Sequence, residues 1–277
     1  MSDKRAIGVF DSGLGGLTVV KELMKVLPNE DIVYLGDTGR VPYGTRSKET
    51  ICKYALQDEK FLLSKNVKLI IAACGTVSSV ASETALQLPV PFFEVVSHAS
   101  KEAVNTTENG KIGVIGTAAT IKSKQHKNNI LKLMPKAQVT DCSCTMFVPL
   151  VEEGWYSADD IVVLETVKRY LKPIIDSNSD TLILGCTHYP VLSDAIRKTL
   201  GEKVKLINAG TATAKAVKNY ILQNEIENDN ENVGNSKFFV TDKPDTFKNL
   251  ASVLLGKEID EASIEQVDIT DLWLRMF

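Results

Sequence analysis

Two cysteines, Cys74 and Cys186, stand at the ends of short apolar runs in similar settings. The first run, Leu69-Ile70-Ile71-Ala72-Ala73, breaks off at Cys74-Gly75-Thr76, and the second, Leu182-Ile183-Leu184-Gly185, at Cys186-Thr187-His188-Tyr189-Pro190. A free thiol titrates near ~8.5, close enough to neutral to give up or accept a proton. Two thiols in similar settings are the candidate reacting groups of one site. Three titratable residues are either functional or a plain turn cap, surface charge and loop histidine in turn. Asp11 opens the turn Asp11-Ser12-Gly13-Leu14-Gly15-Gly16, Glu152 closes the apolar stretch 147–152, and His188 lies two residues beyond Cys186. A histidine beside a thiol in a partly dehydrated cleft can tune its proton affinity and orient it. Thr76, Thr120 and Thr187 are candidate helix caps whose hydroxyls and neighbouring N–H groups also suit an α-carboxylate. Thr76, Ser78 and Ser79 are placed to cap the helix after Cys74. Cys52 reads as a core residue, and Cys142 and Cys144 have no ligand-spaced partners for zinc.

These residues need elements to position them. Apolar runs bounded by polar residues read as strands buried on both faces of a parallel sheet. Ligands in such sheets sit beyond the carboxyl ends of the strands, where both cysteines fall. Residues 6–10, 31–37, 67–73 and 91–96 read as strands, alternating with helices over 19–27, 47–64 (Ser47 as N-cap) and 97–105. This is an α/β succession with a mainly parallel sheet. Near Gly110 the pattern restarts: Lys111-Ile112-Gly113-Val114 repeats the Ile-Gly-Val of residues 7–9 and again leads to an apolar run tipped by cysteine. The chain therefore reads as an internal duplication of two similar domains, 1–98 with 208–277, and 99–207, enclosing one site between the cysteines. A helix over 209–223, a solvated loop over 225–236, a strand over 238–241 and a helix over 244–255 would return the tail to the first domain. The turn after the first strand fails the dinucleotide fingerprint, because Thr18 holds its third glycine position. Its glycines are expected instead to let backbone N–H groups approach a small ligand.

Composition excludes several classes. A net charge of −3 on 277 residues offers no general surface for nucleic acid or an anionic membrane. The amino terminus is polar, no apolar run approaches the ~20 residues of a membrane span, and five scattered cysteines fit reduced thiols in a cytoplasm.

Five motifs taken together, namely Asp11 to Gly16, Arg40-Val41-Pro42-Tyr43-Gly44, Ala73-Cys74 with Thr76, Phe147 to Glu152, and Leu184 to Pro190, resemble glutamate racemase. The resemblance runs from about Ile7 to Gly210. It implies a cofactor-independent and metal-independent isomerase that supplies D-glutamate for peptidoglycan, acting as a cytoplasmic homodimer. One cysteine, as thiolate, would remove the α-proton of glutamate, and the other, as thiol, would return a proton to the opposite face. Asp11 would assist Cys74; Glu152 and His188 would assist Cys186. Asp11, Ser12, Pro42, Tyr43, Gly44, Gly75, Thr76, Thr117, Thr120, Thr187 and His188 would hold the substrate. Gly75 departs from the pattern, which commonly has Asn there. The alternatives are a two-cysteine racemase for aspartate or a hydantoin, a non-catalytic amino-acid-binding protein on the same scaffold, and a thiol hydrolase using Cys186 with His188.

Overall fold

Residues 2–270 are described by the computed structural model. The first half runs β1 (Ile7–Asp11), α1 (Leu17–Val26), β2 (Ile32–Gly36), α2 (Lys48–Ser64), β3 (Leu69–Ala72), α3 (Gly75–Val80), β4 (Phe92–Glu94) and α4 (Val95–Thr106). The second runs β5 (Lys111–Gly116), α5 (Ala118–Ser123), α6 (Gln125–Leu133), β6 (Gln138–Ser143), α7 (Phe147–Glu152), α8 (Ile161–Asp176), β7 (Thr181–Leu184), α9 (Ser193–Leu200) and β8 (Lys205–Asn208). Helix α10 (Ala209–Gln223) then leads back to β9 (Ser236–Val240), α11 (Pro244–Leu255) and β10 (Ile264–Gln266).

Among the described residues, all strand pairs are parallel. One sheet has the order β10-β9-β2-β1-β3-β4 and the other β6-β5-β7-β8. Counted within its own half, each sheet therefore contains the same order, second-first-third-fourth strand. The duplication read from the Ile-Gly-Val repeats is a repeat of topology. In this order the chain leaves the first strand to one side and returns for the third on the other. The crevice between those two strand ends is the switch point at which open α/β sheets bind ligands. Here the switch points are bounded by the tips of β1 and β3 in one sheet and of β5 and β7 in the other.

Side-chain alternation explains how the sheets are clothed. Leu69 and Ile71 of β3, with Ile112 and Val114 of β5 and Ile183 of β7, join a core shared by both halves, with α1, α4 and α10 packed into it. Ile70 and Ala72 face the opposite way, onto α2 and α3, while Leu182 and Leu184 face α8 and α9. The predicted helix cap at Ser47 is present, its Oγ accepting from the Thr50 N–H at 3.3 Å.

Three expectations change. Cys74 itself occupies the N-cap of α3 with no side-chain cap; of the three hydroxyls expected to cap it, Thr76 and Ser78 are used elsewhere and Ser79 Oγ is buried without a hydrogen-bond partner among the described residues. Ser78 Oγ donates back to the Ala72 carbonyl (3.2 Å), and Thr76 Oγ1 pairs with Thr117 Oγ1 (3.0 Å). The glycine turn after β1 makes room for protein. A Cβ at Gly15 would lie 2.2 Å from Thr187 Oγ1 and 2.6 Å from His188 Nδ1, so glycine there lets the Cys186 loop approach. The stretch 225–236 is irregular but only partly solvated. The Asn228 N–H donates to Glu30 Oε1 (3.0 Å), and Lys68 Nζ donates to the Ile226 carbonyl (2.8 Å) while pairing with Glu30 at 2.5 Å. This buried ion pair needs those extra partners to offset its lost hydration, so it draws the segment inward. The tail does return to the first half, where β9 pairs with β2.

Candidate active site

The two switch points open onto one cavity of about 390 Å³. Cys74 and Cys186 both line it, Cys74 from the tip of β3 and Cys186 from the tip of β7. Ser12 borders it from the end of β1, Thr117 from the end of β5, and Pro42-Tyr43-Gly44 from the loop after β2. Gly75, Thr76, Glu152, Thr187 and His188 complete the expected set at the wall.

Two expected residues lie elsewhere. Asp11 sits behind the wall, 1% exposed, its carboxylate accepting from the Gly13 N–H (3.0 Å) and facing the Thr187 hydroxyl (3.4 Å). Thr120 is buried one turn into α5. It donates its backbone N–H to Thr117 Oγ1, the N-cap, and shares a 3.0 Å hydroxyl contact with it, so it touches the cavity only through Thr117. Val41, Thr45, Ala118, Thr145, Val148, Pro149 and Tyr189 also line the cavity, beyond the residues the sequence singles out. Tyr189 could have been found from its place in the Cys186 motif; it anchors the loop by donating to the Cys144 carbonyl (2.9 Å). Thr145 carries no such signal. The other cysteines lie off the cavity, and all five are free thiols.

The two thiols have different neighbours. Cys74 Sγ lies 3.5 Å from Ser12 Oγ. Burial and then the Asp11 charge push this thiol up to about 12, against the pull of the Val77 N–H and the Ser12 hydroxyl. These surroundings therefore favour the protonated thiol at Cys74. Asp11 is itself raised by burial, opposed first by the charge of His188. Cys186 Sγ lies 3.9 Å from His188 Nδ1, and His188 Nε2 lies 3.1 Å from Glu152 Oε1. Burial alone would lower the His188 pKa, but Cys186, Glu152 and Asp11 outweigh it and raise it to about 10. The ring is then an imidazolium with a proton for each neighbour, so one side of the cavity holds a buried acid reservoir.

The halves are locked together at the site. Thr18 Oγ1 donates to the Thr187 carbonyl (3.1 Å), and Thr76 meets Thr117 across the cavity rim. A Cβ at Gly75 would lie 2.4 Å from the Gly185 carbonyl oxygen, so the backbone beside one thiol is in close contact with the backbone beside the other.

Fold and site together define a two-sheet α/β protein that presents one thiol from each sheet to a single enclosed cavity. Comparison with known proteins gives the family. Residues 15–217 match the Asp/Glu/Hydantoin racemase model, and the chain belongs to that family. It is 42% identical over 258 residues to a glutamate racemase of Geobacter metallireducens, covering 93% of this chain and 95% of the relative. The crystal structure of glutamate racemase from Francisella tularensis in complex with D-glutamate matches with a TM-score of 0.89. It is 40% identical and covers 97% of this chain and 99% of that one. An aspartate racemase from Picrophilus torridus shares the fold alone, at 17% identity and a TM-score of 0.56.

Proposed function

We propose that this protein is a glutamate racemase, an isomerase that interconverts L- and D-glutamate by proton transfer at the α-carbon. The observation that carries the reading is the pair of thiols at equivalent switch points, one from each sheet, facing one cavity. Racemisation needs an acceptor and a donor on opposite faces of one carbon, and two equivalent strand ends supply them. The identities near 40% with glutamate racemases, against 17% with an aspartate racemase, favour glutamate over the aspartate alternative.

In this mechanism one cysteine thiolate takes the α-proton while the other thiol delivers its own from the far side. On the Cys186 side, His188 exchanges a proton with the sulfur, and Glu152 holds the ring in place. On the Cys74 side, forming the thiolate at pH 7 costs about 7 kcal/mol, from a pKa raised to about 12. The α-ammonium of bound glutamate offsets part of this by Coulomb attraction, and Asp11 is the nearby base. Ser12, Tyr43, Gly75, Thr76, Thr117 and Thr187 supply hydroxyls and backbone groups for the two carboxylates.

The same reading treats residues 1–98 with 208–277 as one domain and 99–207 as the other, supported by the return of β9 and β10 to the first sheet. It includes the homodimer and the cytoplasmic role in peptidoglycan precursor supply that the resemblance implies. No described helix is long and apolar enough to cross a membrane. The test is α-proton exchange in D₂O from each enantiomer, without added cofactor, followed by NMR and chiral analysis. Deuterium incorporation with inversion from both enantiomers is expected. Glutamate binding without exchange would leave a binding protein and end the two-thiol reading.

A further inference from the structure

Behind the Pro42-Tyr43-Gly44 wall lies a closed polar cluster that takes no part in the proton transfers above. Asp37 and Asp58 are fully buried, and Tyr43 is 1% exposed. Arg40 reaches all of the cluster: Nε donates to Asp37 Oδ2 (2.6 Å), Nη1 to Gln57 Oε1 (2.5 Å) and Nη2 to Asp58 Oδ1 (3.3 Å). The Tyr43 phenol is hydrogen-bonded to Asp37 Oδ2 and lies 3.0 Å from Asp58 Oδ2. Asp37 Oδ1 accepts from the Thr241 hydroxyl at 2.8 Å.

Counting protons decides the charge state. Asp37 receives donors on both oxygens and acts only as an acceptor. The phenol has one proton, and its shorter contact is to Asp37. The remaining contact, Tyr43 Oη to Asp58 Oδ2, joins two oxygens with no proton left on the tyrosine to bridge them. With both carboxylates ionised, one guanidinium would face two buried anions, and that contact would be repulsive.

We infer that Asp58 is a neutral carboxylic acid in the folded protein and donates its hydroxyl to Tyr43 Oη, making it a positioning residue for the cavity-lining loop. Burial first, then the Asp37 charge, push its carboxyl well above the usual carboxylate range, with Glu59 adding in the same direction, against the Arg40 charge and the Tyr43 hydroxyl. Asp268, on the tail side, is held low first by its hydrogen bonds from Thr270 and also by the charge of Arg40. The result is a cluster with no net charge among Asp37, Arg40 and Asp58, closed by a chain of hydrogen bonds from Asp58 through Tyr43 to Asp37. Tyr43, which lines the cavity, is thereby fixed from behind.

The effect on turnover rests on the racemase reading; the protonation itself does not. The experiment compares Asp58→Asn with Asp37→Asn by thermal melting, by the infrared carbonyl stretch of a protonated carboxylic acid, and by KM and kcat for both glutamate enantiomers. An asparagine amide N–H₂ can replace the acid O–H, so Asp58→Asn should melt with the wild type and keep KM within about threefold. Asp37→Asn removes the negative partner of Arg40 and should raise KM about tenfold or more, with kcat changing less. The spectrum of the wild type minus that of Asp58→Asn should show the carboxylic-acid band of Asp58. If Asp37→Asn does not fold, Asp58→Ala replaces it as the variant expected to lose KM. An Asp58→Asn protein as impaired as its comparison variant, or a difference spectrum without the acid band, would overturn the assignment. A wild type that shows the band but no turnover would refute the racemase reading and leave this one standing.

Discussion

Gly75 is where the structure makes its sharpest demand. A Cβ there would sit 2.4 Å from the Gly185 carbonyl oxygen and 3.3 Å from its carbon, both backbone atoms, while ordinary contact begins at 3.4 Å. Gly75→Ala must therefore open the contact between the two cysteine loops by about 1 Å, because no flexible side chain can turn aside. That displacement acts on Cys74 and Cys186 together, since each is next to one of the touching residues. Overpacking of this kind costs about 1–3 kcal/mol of stability. A 1 Å misplacement of reacting groups can cost about 100-fold in rate. The expected variant is folded, melts a few degrees early, and turns over glutamate about 100-fold more slowly in both directions. Circular dichroism at a fixed wavelength follows the rotation of each enantiomer continuously and gives kcat and KM directly. Turnover of Gly75→Ala within about threefold of wild type would refute the claim that thiol spacing is set by this contact.

Cys74→Ala and Cys186→Ala should each lower racemisation by about 10²–10⁴-fold or more, with far-UV circular dichroism unchanged; full activity in either would remove the mechanism. The two buried histidines should give opposite limbs of stability against pH. His126, lowered to about 4 by burial, stabilises above the unfolded value of ~6.5, and that contribution is lost as pH falls toward 4. His188, raised to about 10, stabilises fully below ~6.5, and its contribution is lost as pH rises toward 10. Urea titrations at stepped pH should show His126→Leu flattening the acid limb and His188→Gln the alkaline one; an unchanged limb in either variant refutes that assignment. Lys68→Met strands the Glu30 carboxylate in the core and should cost about 3–5 kcal/mol, read from the urea midpoint, while Lys68→Met/Glu30→Gln recovers part of it. A single variant within about 1 kcal/mol of wild type would show that the pair is not a net constraint.

What could be read from the sequence divides along a physical line. Unbroken apolar runs and the Ile-Gly-Val restart announce buried strands and their repetition, because those patterns are local. Strand ends are local too, so the residue order alone assigns the two cysteines to strand tips. The partners of each side chain depend on contacts between residues far apart in the chain. Nothing near Gly15 reveals that Thr187 and His188 press against it, and nothing near Asp11 reveals that it lies behind the cavity wall. The segment 225–236 looks solvated by composition, yet Lys68 and Glu30, more than 150 residues earlier, draw part of it inward. The Asp37–Arg40–Tyr43–Asp58 cluster is hidden for the same reason: its members come from a strand end, a loop and a helix, and they resemble ordinary surface charges.

The duplication explains why two thiols meet, and its imperfections explain what each can do. Equal topology places β3 and β7 at equivalent switch points, so a residue just past either strand projects into the same crevice. Had the electrostatics been duplicated as well, both thiols would answer a bound anion or cation alike, and neither would be distinguished as donor or acceptor. The halves differ at this point. Cys74 lies in the field of a buried carboxylate that holds its proton on, while Cys186 adjoins an imidazolium backed by Glu152. Reversal of direction then requires more than an exchange between sulfurs. The proton must also be balanced against Asp11 on one side and His188 on the other, so variants of these two residues should lower kcat unequally in the two directions, with KM compensating because the two enantiomers are equal in free energy. Equal loss of kcat in both directions from each variant would mean that the asymmetry of charge has no part in the reaction.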